Sequence, residues 1–313
     1  MWAYFCGRLA IAVPTLFIVT IIVFGLQHLL PGDPALVMLG EDRSPEAIEQ
    51  IRKANNFDKP VPVQYALWLG RALTGDLGAS LRTRKPVTEL IVEKLPVTVQ
   101  LAFMSMLIAL LIGIPTGILS AVKKGTFWDY FAGVIGMSGL SVPTFWLGIM
   151  MILLFSVKFG ILPASGYVSP FENPVENFRA MIMPAFVLGA ALAAVMMRHT
   201  RGAMLSVLRS DYVRTARAKG LAERRVILRH ALRNAMMPIV TLGALQLGQL
   251  LSGAVLTEQV FTIPGFGKLI VDAVFNRDYV VVQGVVLITA TAYIALNLMA
   301  DMAYFLVNPR LRG

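Results

Sequence analysis

Residues 97–122 read VTVQLAFMSMLIALLIGIPTGILSAV, a run of 26 residues without a single Asp, Glu, Lys, Arg or His. A helix rises about 1.5 Å per residue, so roughly 20 apolar residues cross the ~30 Å hydrocarbon core of a bilayer. Five other stretches have the same apolar character. The sequence therefore predicts an all-α membrane protein with six transmembrane helices, at Leu9–Leu30, Val97–Val122, Tyr130–Val157, Met181–Met197, Ala235–Thr257 and Val280–Val307.

The composition of the whole chain agrees with a membrane protein. Of its 313 residues, 57% are hydrophobic and only 15% are charged, with a mean hydropathy of +0.69. Soluble domains carry about 25% charged residues, so this chain lacks the polar surface of a water-soluble enzyme. The same numbers exclude a disordered chain. Cys6 is the only cysteine, which excludes a disulfide-stapled secreted domain.

The distribution of Lys and Arg between the spans predicts the orientation. The segments on one side, with residues 198–234 as the largest, carry 15 basic residues against three acidic ones. The segments on the other side carry 13 basic and 14 acidic residues. Because cytoplasmic loops are enriched in Lys and Arg, both termini and the 198–234 loop are predicted to be cytoplasmic. The net charge of +10 is thus mostly a signal of topology, and we expect no nucleic-acid partner.

The sequence lacks the motifs of covalent chemistry. It has no HExxH motif, no Cys/His cluster and no GxSxG motif, so we expect neither a metal site nor a catalytic site. The segment Gly265–Leu269 lacks the Ser or Thr that ends a phosphate-binding GxxxxGK[ST] loop. The chain is therefore predicted to be no enzyme and to hold no cofactor itself.

The 66-residue segment Pro31–Pro96 has balanced charge and contains two amphipathic stretches. Ser44 is a suitable N-cap for a helix that begins at Pro45 and continues to Lys53, and a second helix is predicted over Val63–Leu73. We expect a small ordered cap outside the membrane; the alternative is a plain spacer.

The basic loop 198–234 contains a short helix that ends in glycine. Ser210 or Asp211 can cap a helix that continues to Lys219, and Gly220 suits the left-handed residue beyond its end. We call residues 211–220 the knuckle. A second helix is expected from Ala222, with one apolar face formed by Ile227, Ala231, Leu232 and Ala235. The alternative is a basic loop that contacts anionic lipid.

Polar residues within the spans are candidates for a passage, because they are costly when they face lipid. They form two series at helical spacing, and the alternative role of both is hydrogen bonding between helices. The series are Gln246, Gln249 and Gly253 on the fifth span, and Thr289, Tyr293 and Asn297 on the sixth. Gly113 and Gly117 on the second span indicate close helix packing or a kink.

Several motifs together resemble one family. Residues 211–221, DYVRTARAKGL, followed by His230–Ala235 and Pro238, are similar to the cytoplasmic signature loop of ABC importer permeases, in the form found in dipeptide, oligopeptide and nickel permeases. The resemblance covers nearly the whole chain. Its other matching stretches are residues 29–34 (LLPGDP), residues 75–78 with Ser80, residues 261–267 (FTIPGFG) and residues 276–279 (NRDY).

The resemblance implies a fold and a location. We expect a type I ABC importer core of the MetI-like kind at residues 97–307, which includes the coupling loop 198–234. An N-terminal helix and a periplasmic cap precede it at residues 1–96, and a cytoplasmic tail follows at residues 308–313. The expected location is the bacterial inner membrane.

The resemblance also implies partners and residue roles. The partners are a homologous second permease subunit, two ATP-binding subunits that use ATP and Mg²⁺, a periplasmic solute-binding protein and the lipid bilayer. Coupling to the ATPase is expected at Asp211, Tyr212, Arg214, Thr215, Ala216, Arg217, Ala218, Lys219, Gly220 and Leu221. Contact with the binding protein, or an outer gate, is expected at Phe261, Pro264, Gly265, Gly267, Arg277 and Asp278.

The expected function is import of di- or oligopeptides through half of a shared translocation path. One alternative is the same machinery with nickel, glutathione or another small solute as cargo. The alternative of a different class is a multi-pass ion channel or a membrane enzyme.

Overall fold

The structure, a computed structural model, describes residues 2–29, 44–54 and 56–307. The described part is built from helices, and its only β-type pairing is an isolated bridge between Ala79 and Pro86. Residues 30–43, which include most of the LLPGDP motif and the end of the first expected span, lie outside the described residues, as does the tail 308–313. The chain divides into two compact units, each described by itself below.

The first unit comprises residues 1–97 and 265–294. Its helices are α1 (Trp2–Leu29), α2 (Pro45–Ala54), α3 (Val61–Leu73), the first part of α4 (Val87–Val122), α12 (Phe266–Phe275) and the first part of α13 (Tyr279–Val307). Helices α5 to α11 belong to the second unit and are given below.

The core of the first unit forms where α4, α12 and α13 meet the loop after α3. Val87 of α4 and Val285 of α13 are fully buried, with Leu77 and Phe266 packed beside them. A methyl group added at Gly284 would lie 2.6 Å from Val87 Cγ1, so α4 and α13 approach as closely as glycine permits. Helices α2 and α3 confirm the two helices expected in the cap.

The second unit comprises residues 98–264 and 295–313. It holds the rest of α4 and α13 and every helix between them except α12. Those helices are α5 (Phe127–Ser141), α6 (Thr144–Met151) with a π-helical segment at Ile152–Lys158, α7 (Pro174–Leu208), α8 (Asp211–Ala218), α9 (Glu223–Arg225) with a π-helical segment at Val226–Ala231, α10 (Leu232–Gly253) and α11 (Val255–Val260).

Glycines bring α4 and α7 into close contact. A methyl group built on Gly113 would lie 2.6 Å from Met196 Cβ, and one on Gly117 would lie 2.6 Å from Thr200 Cβ. From the other side, a methyl group on Gly189 would lie 2.8 Å from the carbonyl oxygen of Ser105. Gly113 and Gly117 therefore form a packing surface, which confirms close helix packing, one of the two interpretations of this pair from the sequence.

The described helices match the six expected spans only in part. Three helices are long and apolar enough to cross a membrane within the described residues, namely α4, α7 and residues Tyr279–Met299 of α13. The third expected span, Tyr130–Val157, is not a single helix, although its two parts together are long and apolar enough to be one broken span. It breaks at Val142–Pro143 into two helices bent by 100°, because a proline restricts its predecessor to extended backbone.

The other boundaries also differ from the sequence prediction. The apolar part of α1 is short, at Ala10–Gly25, and the fifth expected span is divided between α10 and α11. Helix α4 begins at Val87, ten residues before the expected start, and includes Pro96. The fourth expected span is the middle of the 35-residue helix α7.

We predict that Gly113→Ala lowers the melting temperature of the detergent-solubilised protein. The new methyl group would overlap Met196 Cβ and the carbonyl oxygen of Ala193, 2.7 Å away, and overpacking typically costs about 1–3 kcal/mol. Gly202→Ala is the matched control on α7, because no atom lies within 4 Å of its added methyl group. Equal melting temperatures for the two variants would contradict the close approach of α4 and α7.

Candidate functional site

The knuckle is an eight-residue helix with a defined end. Helix α8 covers Asp211–Ala218, and Gly220 follows with φ of +75°, the left-handed conformation that the sequence predicts. Ser210 occupies the N-cap position, yet its hydroxyl donates to the carbonyl of Val207 at 2.6 Å and makes no cap hydrogen bond. The expected position of the cap is thus confirmed, while its side-chain bond is absent.

The inner face of the knuckle is fixed by apolar packing. Val213 is fully buried and Ala216 is nearly so, and together with Val226 they form a small core. Val207, Leu208 and Leu221 pack around it. Because these residues belong to the segments before and after α8, the short helix is held at both ends.

Two polar ties brace the knuckle further. Arg217 forms a two-point ion pair with Glu223 across the Gly220 turn, at 2.7 Å and 3.1 Å. The hydrogen bonds from Arg217 lower the pKa of the Glu223 carboxyl, so the pair stays charged at neutral pH and is lost only under acid. Asn234 donates to the Tyr212 hydroxyl at 2.8 Å, which connects α8 to α10.

The outer face of the knuckle is exposed and basic. Arg214 pairs with Asp211 at 2.7 Å, but both side chains are more than four-fifths exposed, so the pair adds little stability. The remaining outward residues are Tyr212, Thr215, Arg217, Ala218, Lys219 and Gly220. Such a rigid, cationic surface can seat in a groove of another protein without the cost of ordering a loop.

The helix after the knuckle presents the expected apolar face. Ala231 and Ala235 are buried against Ala121 and Met204, and Ile227 and Leu232 pack at the edge of this cluster. The structure adds a detail that the sequence did not show, because residues Val226–Ala231 form a π-helical turn.

The candidate path residues lie on α10 and α13. Gln246 is buried on α10, whereas the side-chain surroundings of Gln249 and Gly253 lie outside the described part of the structure. Thr289 uses its hydroxyl within α13, donating to the carbonyl of Val285 at 2.7 Å. Tyr293 is 41% exposed and Asn297 is half-buried. Their role in a path stays a prediction.

In the second unit, the candidate outer residues include a buried ring. Phe261 is 1% exposed, packs against Gly148 of α6, and accepts a hydrogen bond from the Gly166 amide at 3.1 Å. Phe261 therefore positions the surrounding loop and offers no surface to a partner, while Pro264 is half-buried.

In the first unit, Asp278 is also internal. It is 4% exposed, and its carboxylate accepts hydrogen bonds from the Ser80 hydroxyl and from the Leu81 amide at 3.1 Å. Gly265 and Gly267 are buried at the start of α12, and Arg277 is exposed with φ of +56°. Of these four residues, only Arg277 is available for direct contact with a partner.

The second unit contains a buried ion pair that was not predicted from the sequence. Asp129 at the start of α5 is 8% exposed and receives two hydrogen bonds from Arg201 of α7, each at 2.9 Å. The Ser120 hydroxyl and the Gly125 amide also donate to it. The sequence signal was present, since Asp129 is one of only three acidic residues among the predicted cytoplasmic segments, but its partner is 72 residues away.

A second missed acid is Glu258 of α11, which is fully buried. The hydroxyl of Thr98 on α4 donates to its carboxylate at 2.6 Å. Across residues 2–29, 44–54 and 56–307, no three His, Cys, Asp or Glu side chains are grouped as metal ligands would be.

Comparison with known proteins defines the class. Residues 113–313 match the family model of the binding-protein-dependent transport system inner membrane component, and residues 1–102 match the corresponding N-terminal membrane component. The chain therefore belongs to the family of inner-membrane components of binding-protein-dependent transport systems. It is a transport component and not an enzyme.

Similar proteins align along the full length of the chain. The dipeptide transport system permease protein DppB of Escherichia coli K12 is 43% identical, with 100% of this chain and 99% of that protein covered. The protein of the same name from Alkalihalophilus pseudofirmus is 40% identical, with both chains fully covered. The di/tripeptide transport system permease protein DppB of Pseudomonas aeruginosa is 42% identical, with 100% and 99% covered.

Solved structures share the fold. A chain of the inward-facing MetNI methionine ABC transporter superimposes with a TM-score of 0.59 at 18% identity, covering 70% of this chain and 96% of that chain. A chain of an amino acid ABC transporter with histidines gives 0.52 at 16% identity, covering 72% and 95%. These likenesses concern the fold alone, and they confirm the expected MetI-like architecture.

We predict that Asp278→Ala loosens the loop at residues 78–84. The variant removes the acceptor for the Ser80 hydroxyl and the Leu81 amide, and a buried group left unsatisfied costs about 1–3 kcal/mol. Trypsin should then cleave faster after the exposed residues Arg82 and Arg84. Asp272→Ala is the control, because Asp272 is half-exposed in its pair with Lys268. An unchanged cleavage rate in Asp278→Ala would show that the hydrogen bonds of Asp278 do not hold this loop in place.

We predict that Arg201→Met destabilises the second unit by about 3 kcal/mol, since it leaves the Asp129 carboxylate buried without its cation. Arg198→Met on the same helix removes an exposed charge and should leave the melting temperature unchanged. The double variant Asp129→Ala/Arg201→Met should lose less stability than the sum of the single variants. Strict additivity would show that the pair does not interact.

Proposed function

We propose that the chain is the permease subunit of an ATP-driven, binding-protein-dependent importer of di- or oligopeptides. The family supports the transport role, and relatives named as dipeptide or di/tripeptide permeases are 40–43% identical over the whole chain. The division of labour follows from the chemistry of the sequence, which supplies no phosphate-binding loop. Separate ATPase subunits hydrolyse ATP, and a solute-binding protein delivers the cargo.

The proposed orientation has both termini and the 198–234 loop in the cytoplasm of a bacterium. The surplus of Lys and Arg in this set of segments supports it. Residues 1–96 then provide an N-terminal helix and an external cap. Residues 97–307 provide the transport core, and residues 308–313 a short internal tail.

The observation that carries the proposed coupling is the construction of the knuckle. Its inner face is anchored by Val213 and Ala216, its Gly220 turn is closed by the Arg217–Glu223 pair, and its outer face is exposed and basic. A loop that only met anionic lipid would not need this bracing. We infer that the outer face sits in a groove of the ATPase.

Transport then follows from linked equilibria. The permease pair has inward-open and outward-open states, and ATP binding favours one of them because it closes the ATPase subunits. A rigid knuckle passes the movement of the ATPase subunits on to the permease helices. A flexible loop would change its own conformation instead, and the helices would not move. The second permease subunit completes the path, to which Gln246, Gln249, Gly253, Thr289, Tyr293 and Asn297 contribute. Arg277 and its neighbours face the binding protein.

We predict that Gly220→Pro abolishes association with the ATPase while membrane insertion is retained. Proline cannot adopt φ of +75°, and it also removes the amide that donates to the Arg217 carbonyl at 2.9 Å. Co-purification of the ATPase subunits measures the effect. Gly220→Asn is the matched control, because asparagine tolerates the left-handed conformation and keeps the amide. Association that survives Gly220→Pro would remove the coupling assignment.

The peptide assignment is tested by reconstitution of the complete importer. Proteoliposomes with both permeases, the ATPases and the binding protein should take up a labelled dipeptide only when ATP is supplied. Uptake by this chain alone, or uptake that continues without ATP, would identify a channel instead.

A further inference from the structure

The first unit contains a cavity of about 430 Å³ that has no role in the transport mechanism proposed above. It lies among α1, α3, the loop at residues 74–86 and the start of α13. Its volume falls within the roughly 300–1,000 Å³ of pockets that hold small solutes. The residues that matter for its chemistry are Trp68, Arg71, Asp76, Arg84 and Val280.

Two cationic side chains of this lining have no ion-pair partner. Arg71 and Arg84 are exposed and form no ion pair with any residue that the structure describes. Gln283 also belongs to the lining, but its amide nitrogen has less than 1 Å² of accessible surface and therefore does not face the cavity. Guanidinium groups without a carboxylate partner beside a cavity favour a ligand that carries an anionic acceptor.

The rest of the lining limits the ligand further. One carboxylate oxygen of Asp76 accepts a hydrogen bond from the Gly78 amide at 2.9 Å, and the other oxygen is available to a cation. Trp68, Phe24 and Phe57 supply aromatic surface. Two guanidinium groups, one carboxylate and an apolar wall match a small zwitterion with an apolar side chain better than they match a phosphate, which Asp76 would repel.

The backbone around the cavity is held in unusual conformations. Arg84 has φ of +58° although it is neither glycine nor asparagine, and such outliers cluster at functional sites. The loop that carries Arg84 is fixed by the hydrogen bond between Ser80 and Asp278. The loop is thus shaped before any ligand arrives, which lowers the entropy cost of binding.

We propose that this cavity of the cap binds a short peptide through its terminal carboxylate. Arg71 and Arg84 recognise the carboxylate, Asp76 faces the ammonium group and Trp68 packs against the side chain. The identity of the ligand rests on the proposed import of peptides. The cap then holds solute before it enters the membrane path.

The test uses the complete importer in nanodiscs without the binding protein, with radiolabelled Ala-Phe as the probe. Wild-type protein should bind Ala-Phe saturably, and the C-terminal amide of Ala-Phe should bind at least tenfold more weakly. Arg84→Gln should weaken binding of Ala-Phe at least tenfold. Arg82→Gln removes the same charge from an exposed neighbour outside the cavity lining and should change the affinity less than twofold.

Arg71→Gln separates binding from folding. Arg71 is an exposed residue of the cavity lining, so the melting temperature should stay the same while Ala-Phe affinity falls at least tenfold. Lower affinity that is accompanied by a lower melting temperature would overturn the assigned role of Arg71.

The remaining outcomes are also decisive. Equal binding of Ala-Phe and its amide, or displacement by inorganic phosphate or by phosphatidylglycerol in the nanodisc, would make the cavity a general anion or lipid site and overturn the proposal. If the same complex imports Ala-Phe in proteoliposomes with the binding protein and ATP but shows no saturable binding in nanodiscs, the cap site alone is refuted. A complex that never imports Ala-Phe would instead refute the proposed function.

Discussion

The hydrocarbon core of a membrane contains no water that could bond backbone amides and carbonyls, so each of these groups must be hydrogen-bonded within the chain. The rest of this structure depends on that constraint. It explains why the described part is helical, although Pro14, Pro184 and Pro238 each remove one amide donor from the helix that contains them. Where the chain leaves the helix at Val142–Pro143, the Val142 amide still donates to the Ser138 carbonyl at 3.0 Å. The last amide before the break is therefore still paired.

Buried carboxylates provide the second level of organisation. Asp129, Glu258 and Asp278 are each less than a tenth exposed, and each accepts a hydrogen bond from a Ser or Thr hydroxyl. Each of these hydrogen bonds joins two segments of one unit. The acids therefore fix the relative position of the two segments, which apolar packing alone determines less precisely. A buried charge is costly without partners, which makes these contacts specific to one arrangement.

The sequence predicted local features well and distant ones poorly. The cap helices and the left-handed Gly220 depend on residues that are near each other in the chain, and all are present. The spacing of Gly113 and Gly117 also predicted close packing, although their partners Met196 and Thr200 are each 83 residues away. The bend at Pro143 was missed because an apolar run has the same composition whether it is straight or broken. The buried positions of Phe261 and Asp278 depend on Gly148 and Ser80, which are far away in sequence.

The hydrogen bond from Asn234 to Tyr212 joins the knuckle to a helix that reaches the interior. Asn234 stands in the first turn of α10, and Gln246 lies on the same 22-residue helix, about 18 Å further along its axis. Pro238 lies between these two residues and interrupts the hydrogen bonds of α10, so this helix can bend there instead of moving as a straight rod. The proposed coupling would therefore connect the knuckle to Gln246 through a helix with a weak point along its length, directly preceded by the π-helical turn at Val226–Ala231.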